Sequence, residues 1–155
     1  MNEFSKEYLE SIGLMVVRFN LLEAILGSAI TQAVHANTSL TDCLISGDSF
    51  SVLAAKLIKL LVYLYPDPKA IKESNKLYKD LDGINILRNN FIHTMTYINE
   101  KKEIVGTKAL KRPNKKLEIG KELKLGMEQL TDLHNRINKA INDLLKLDFL
   151  ITKLY

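Results

Sequence analysis

An all-α fold, a bundle of about four helices with an irregular basic insertion or small hairpin before the last one, is predicted by three features of this 155-residue chain. Apolar residues recur at spacings of three and four over four long stretches. Between the last two stretches lies a segment broken by Gly106, Pro113 and Gly120 and crowded with lysine. No repeat, low-complexity tract or Gly/Ser linker divides the chain, so residues 1–155 are expected to form one domain around one core.

The first helix is predicted from Ser5 to about His35, where Tyr8, Ile12, Met15, Phe19, Leu22, Leu26 and Ala33 define one face. A second stripe of Leu9, Val16, Leu21 and Ile25 widens the apolar arc and predicts neighbours on more than one side. Asn37 to Asp48, rich in Asn, Thr, Ser and Asp and including Gly47, reads as a connection with one short helical turn around Cys43. Asp48 or Ser49 can cap the next helix, whose Phe50, Leu53, Leu57, Leu60, Leu61 and Leu64 run until Pro66 and Pro68. A further helix is expected from Ala70 to about Ile98, with Leu77, Leu81, Ile84, Arg88, Phe91, Met95 and Ile98 on one stripe. From Met127 onward Leu130, His134, Ile137, Ile141 and Leu144 mark the closing helix.

Composition limits the function classes. A hydrophobic fraction of 46% and a charged fraction of 26% are ordinary for a globular protein. The most apolar region, Ile12 to Val34, holds Arg18, Asn20 and Glu23, which are costly in lipid, so it is not read as a membrane span. The N-terminal residues have no basic start, apolar stretch or small-residue cleavage site, and the protein is expected in the cytoplasm. Cys43 is the only cysteine, excluding an internal disulfide, and is expected as a small buried side chain. The net charge of +4 is concentrated between Lys101 and Lys124. Lys108, Lys111, Arg112, Lys115 and Lys116 in that stretch either contact RNA phosphate or form a solvated surface loop.

Arg88 interrupts an apolar stripe, and a charge there needs a partner or a cleft. His93 follows five residues later and Asn89 directly after. With four arginines and three histidines in the chain, such an Arg–His spacing arises roughly 0.1 times by chance, and the adjacent Asn makes it rarer still. Asn89 is one turn before His93 on the same helix face, where its amide could orient the imidazole. The long guanidinium of Arg88 can reach the same phosphate. These residue types suit RNA cleavage by the ribose 2′-hydroxyl. His93 would move the proton and Arg88 would stabilise charge on the phosphoryl oxygens. Departure of the 5′-oxygen needs a second proton-transfer group, which a second subunit would supply, so a homodimer is expected. Asp80 and Asp82 point to different helix faces, and no metal site or cofactor motif is read anywhere in the chain.

The Arg88-Asn89-x3-His93 element resembles the motif of the HEPN superfamily, helical domains bearing Arg-x4-6-His, commonly with Asn after the Arg. Phe19-Asn20-Leu21-Leu22-Glu23 is similar to the aromatic-Asn-x-Leu-Glu pattern in the first helix of small bacterial members, and the helix order agrees. The resemblance covers most of the chain. It implies paired motifs at a dimer interface, metal-independent RNA cleavage, and a role as a toxin or antiviral defence factor with an antitoxin or nucleotidyltransferase partner. It equally admits a catalytically silent relative that binds RNA, a nucleotide or a protein. Some members carry Tyr two residues after the His, whereas here Tyr97 stands at four, so modification of that tyrosine does not carry over. Tyr97 either lines the site or rests at the bundle rim, and Glu23 pairs with Arg88 or with Arg18. His35 and His134 are read as structural.

Overall fold

The structure is a computed structural model that describes residues 3–34, 38–107, 109–110, 118–119 and 122–152. The helices are α1 (Lys6–Ala33), α2 (Thr38–Ile45), α3 (Phe50–Leu64), α4 (Pro68–His93) and α5 (Met127–Thr152). Between α4 and α5 lie β1 (Met95–Ile98), β2 (Ile104–Thr107), β3 (Ala109–Leu110), β4 (Glu118–Ile119) and β5 (Leu123–Lys124). The predicted helical bundle with a small insertion is the observed architecture.

Local chemistry sets the helix ends. Ser5 caps α1 by accepting the Tyr8 N–H on its Oγ at 3.2 Å. Asp67 caps α4 by accepting the Lys69 and Ala70 N–H groups, and Pro68 occupies the first helical position, where no N–H is needed. Tyr65, before Pro66, leaves helical geometry and closes α3. Ser49 rather than Asp48 occupies the N-cap position of α3, without a side-chain capping bond, and the Asp48 carboxylate is engaged by Lys56.

The core is one cluster. Met15, Leu22 and Leu26 of α1 meet Leu57 of α3, Leu81 and Ile84 of α4, and Leu130, Leu133, Ile137 and Leu144 of α5, all at most 1% exposed. Because α1 packs on α5, α3 and α2, it is the central helix. Its second stripe is only half spent on these neighbours: Val16 and Ile25 pack against the core, whereas Leu9 and Leu21 are both more than half exposed, together with Val17. By length and a mean hydropathy of 1.5, α1 also meets the dimensions of a membrane span, but its inner face is committed to the bundle core.

Two segments depart from expectation. The stretch read as a connection forms the eight-residue helix α2, which hides Thr41 while Leu40, Cys43 and Leu44 face outward. Cys43 is therefore exposed, two residues from the inward Thr41 and across the helix from it. The second departure is the end of α4. Helix was expected to about Ile98, yet it stops at His93, and Thr94 is extended with φ −102° and ψ 152°. Thr94, Thr96, Tyr97 and Ile98 are β-branched or aromatic, and the chain turns into β1 instead. Met95, counted on the apolar stripe, is 77% exposed.

β1 pairs antiparallel with β2 in the register Met95↔Thr107 to Ile98↔Ile104, and β5 adds to the other edge of β2. The turn between β1 and β2 is tied by Asn99, whose Oδ1 accepts the N–H groups of Lys101 and Glu103, with Lys102 in the left-handed region at φ 60°. A side chain at Gly106 would collide with Leu125 and Thr94, so the strand can pass there only because glycine has none. Val105 and Leu125 turn inward and close this end of the bundle. β3 and β4 form a separate two-stranded ladder.

Candidate functional site

The last turn and a half of α4 carries the motif. Arg88 leaves the inner side of the helix half-buried, and its guanidinium carbon lies 4.9 Å from the centroid of the Phe19 ring on α1. Phe19 is itself fixed against Phe50 of α3 at 4.6 Å between ring centroids. The guanidinium thus rests on an aromatic shelf built by two helices, a contact worth about 0.5–2 kcal/mol. Its Nη1 donates to Asn89 Oδ1 at 3.0 Å and lies 3.3 Å from His93 Nε2. Its Nε is buried with no hydrogen-bond partner among the described residues.

The charge on the apolar stripe has found partners in Asn89 and the Phe19 ring, and the arginine and histidine approach each other. Since a guanidinium only donates, a hydrogen bond across this contact uses the lone pair of His93 Nε2 as its acceptor. The His93 ring is exposed at the C-terminal end of α4, open to a polymer approaching along the surface.

Asn89 behaves differently from expectation. Its amide oxygen holds Arg88 rather than the imidazole, and its Nδ2 reaches back 3.5 Å to Asn85 Oδ1. Asn85 in turn donates to Ser51 Oγ at 2.8 Å, so a polar chain from α3 through α4 braces the guanidinium. The spacing of Asn85 and Asn89, one helical turn apart, was the signal for this chain.

Tyr97 is not one turn beyond His93 but on β1, where its hydroxyl donates to Glu122 and its acidity is weakened chiefly by that hydrogen bond. The strand carries it away from the imidazole, because four extended residues span up to about 13 Å. Glu23 makes neither expected ion pair: among the described residues it bonds neither Arg18 nor Arg88, and it lines a groove between α1, α2 and α3. Lys108, Lys111, Arg112, Lys115 and Lys116 lie outside the described residues, as does His35.

His134 is placed in the seam between α5 and α1, 9% exposed, with Nε2 3.1 Å from the Ser11 carbonyl oxygen and 3.2 Å from Ser11 Oγ. Burial pushes its pKa below the ordinary 6.5. Nearby, the buried Tyr8 hydroxyl donates to the Leu125 carbonyl at 2.8 Å, and burial pushes its pKa up.

A largely apolar cavity of about 700 Å³ between α3, α4 and α5 opens around Leu61, Leu77 and Leu147. Leu77 is about 24 Å along α4 from His93, and the charged rim of that cavity is self-paired through Lys139 with Asp80 at 3.1 Å and Asp143 at 3.4 Å. Those carboxylates, Asp80 first, hold the Lys139 ammonium above its usual range. Asp80 is thereby engaged by a lysine, and among the described residues no group of three or more His, Cys, Asp or Glu side chains is placed to hold a metal ion. Chemistry that could act on a substrate is concentrated instead at Arg88, Asn89 and His93. Comparison with protein-family models, with curated proteins and with solved structures returned no match to this chain.

Proposed function

We propose that this chain is a metal-independent endoribonuclease of the HEPN type. It would act in the cytoplasm as a homodimer, as a toxin or antiviral defence factor with an antitoxin or nucleotidyltransferase partner. The observation that supports this reading is the 3.3 Å approach of Arg88 Nη1 to His93 Nε2 at an exposed helix end, with the guanidinium held from below by Phe19 and from the side by Asn89.

A phosphate arriving at this end of α4 draws the Nη1 hydrogens away from the imidazole, because a charge-assisted bond to a phosphoryl oxygen is stronger than one to a neutral ring nitrogen. The Nε2 lone pair is then free to take the proton of the adjacent 2′-hydroxyl. The 2′-oxygen bonds to phosphorus while the bond to the 5′-oxygen breaks, leaving a 2′,3′-cyclic phosphate. The second subunit's imidazolium protonates the departing 5′-oxygen. Arg88 faces the negative charge that grows on the non-bridging oxygens, and its bracing means little reorganisation is needed. The basic segment would hold the strand on either side.

The test is incubation of the purified protein with end-labelled RNA in excess EDTA, beside His93→Ala and Arg88→Ala. Cyclic-phosphate ends produced by the native chain and lost in both variants are the expected result. Intact RNA throughout would reject the enzyme. A second reading, a silent HEPN-like module that binds RNA, a nucleotide or a protein, is favoured by the resting contact that occupies the Nε2 lone pair. RNA binding by the native chain with no cleavage by any of the three proteins would select it.

A further inference from the structure

The groove between α1, α2 and α3 begins beside the aromatic shelf. Phe19 carries the guanidinium, Asn20 follows it on α1, and Asn20 and Glu23 both line the groove, which encloses about 700 Å³. Glu23 lies about 6 Å along the helix axis from Phe19. Leu53 of α3, one turn beyond the Phe50 that packs on Phe19, forms the inner wall. On the far side Ile45 of α2 comes close to α1 at Gly27, where even a methyl group would stand 3.3 Å from the Ile45 Cδ1.

The slot is apolar at Ala24, Ile45 and Leu53 and polar along the edge that Asn20 and Glu23 form, and Ser28, Thr31, Gln32 and Asp42 make the rest of its lining polar. On that edge Glu23 is half-buried and, among the described residues, has no hydrogen bond or ion pair. A carboxylate partly withdrawn from water without a partner is costly, and a ligand offering N–H groups removes that cost. Asp42 adds a second carboxylate to the lining, so the slot repels phosphate and leaves the backbone of a nucleic acid to Arg88.

We infer that this groove is a base subsite selective for guanine, taking the base of a nucleotide whose phosphate rests at Arg88 and His93; the inference rests on the ribonuclease reading above. Guanine is the RNA base whose Watson–Crick edge places two N–H donors side by side, N1–H and the exocyclic amino group, so a carboxylate accepts both as a parallel pair. Adenine and cytosine each present a ring nitrogen lone pair to the carboxylate beside their amino group. Uracil flanks its one N–H with two carbonyl oxygens, which the carboxylate repels. Asn20, three residues before Glu23 on α1, is placed to donate its amide N–H to the guanine O6. The apolar walls at Leu53 and Ile45 cover the faces of the ring.

The native protein is titrated with the four ribonucleoside 3′-monophosphates, beside Glu23→Gln, Asn20→Ala and His93→Ala, and the ends produced from a mixed-sequence RNA are read. The guanine nucleotide is expected to bind at least about tenfold more tightly than the others. Glu23→Gln should remove roughly tenfold to a hundredfold of its affinity, since the amide accepts only one of the two donations. Asn20 is exposed, so Asn20→Ala tests the edge without disturbing the core, and it should cost several-fold. His93→Ala should keep the preference. Equal binding of all four nucleotides, or a guanine preference untouched in both edge variants, overturns the inference. His93-dependent cleavage with no bias toward guanosine ends sinks the subsite and leaves the nuclease standing. Guanine-selective binding with no cleavage supports the subsite and sinks the nuclease.

Discussion

His134 lies in the seam between α5 and α1 with its Nε2 3.1 Å from a backbone carbonyl, whereas His93 ends α4 at the surface, 3.3 Å from a guanidinium. In the seam, polar groups are few and are answered by main chain: His134 by Ser11, Tyr8 by Leu125. At the end of α4 they answer one another, Ser51 to Asn85 to Asn89 to Arg88 to His93; among the described residues each cluster leaves one buried nitrogen without a partner, Arg88 Nε here and His134 Nδ1 in the seam. Main-chain partners are fixed by the fold and make a side chain structural. Partners that are themselves side chains can be exchanged for a ligand, and that separates a site from a core.

The contrast breaks most visibly at the two imidazoles. His93→Ala should lower RNA cleavage by about a hundredfold to ten-thousandfold while shifting unfolding free energy by less than about 0.5 kcal/mol, measured by product gels and urea melts. A marked loss of stability would show that His93 is structural after all. In the seam the balance reverses: Leu133→Ala, at a fully buried position, should cost about 2–5 kcal/mol in the same melts while the surviving folded protein cleaves at the native rate in the cold. Gly106→Ala should destabilise by about 1–3 kcal/mol, because its methyl group drives into Leu125 and Thr94. A neutral result would mean that the strand has room to shift.

The smallest effect is one of pH. Burial holds the pKa of His134 in the folded chain below the 6.5 of the free side chain. Between those two values the unfolded chain binds more protons, so this group's contribution is fully present above about pH 6.5 and is lost as pH falls through the folded value. Thermal melts at pH 7.5 and pH 5 should therefore differ less in His134→Gln than in the native protein. An unchanged difference would remove His134 from the account.

The long helices were legible because burial against a bundle imposes a period that apolar residues must follow, and Tyr8 to Ala33 or Leu130 to Leu144 follow it. The end of α4 was not, since Met95 and Ile98 happen to keep the helical spacing while facing away from the core or joining a strand. Periodicity reports what can be buried, and the neighbouring strand decides what is. Of α2 only a short turn around Cys43 was legible, for the opposite reason: its fully buried position is Thr41 and its leucines face outward, so hydrophobic patterning understates its length. At the site, the Arg88–His93 approach was readable from spacing alone. The role of Asn89 was not, because two partners were within reach and only the direction of the Arg88 side chain chooses between them.

β2 and β5 lie side by side, with Gly106 opposite Leu123, so the chain departs from the three-stranded sheet and returns to it at almost the same place. A loop whose two ends are already stapled together can grow or shrink with little penalty to the rest, each doubling of its length costing only about 0.6 kcal/mol. Insertions or deletions between those two anchors should therefore leave the packing of the helices beneath in place.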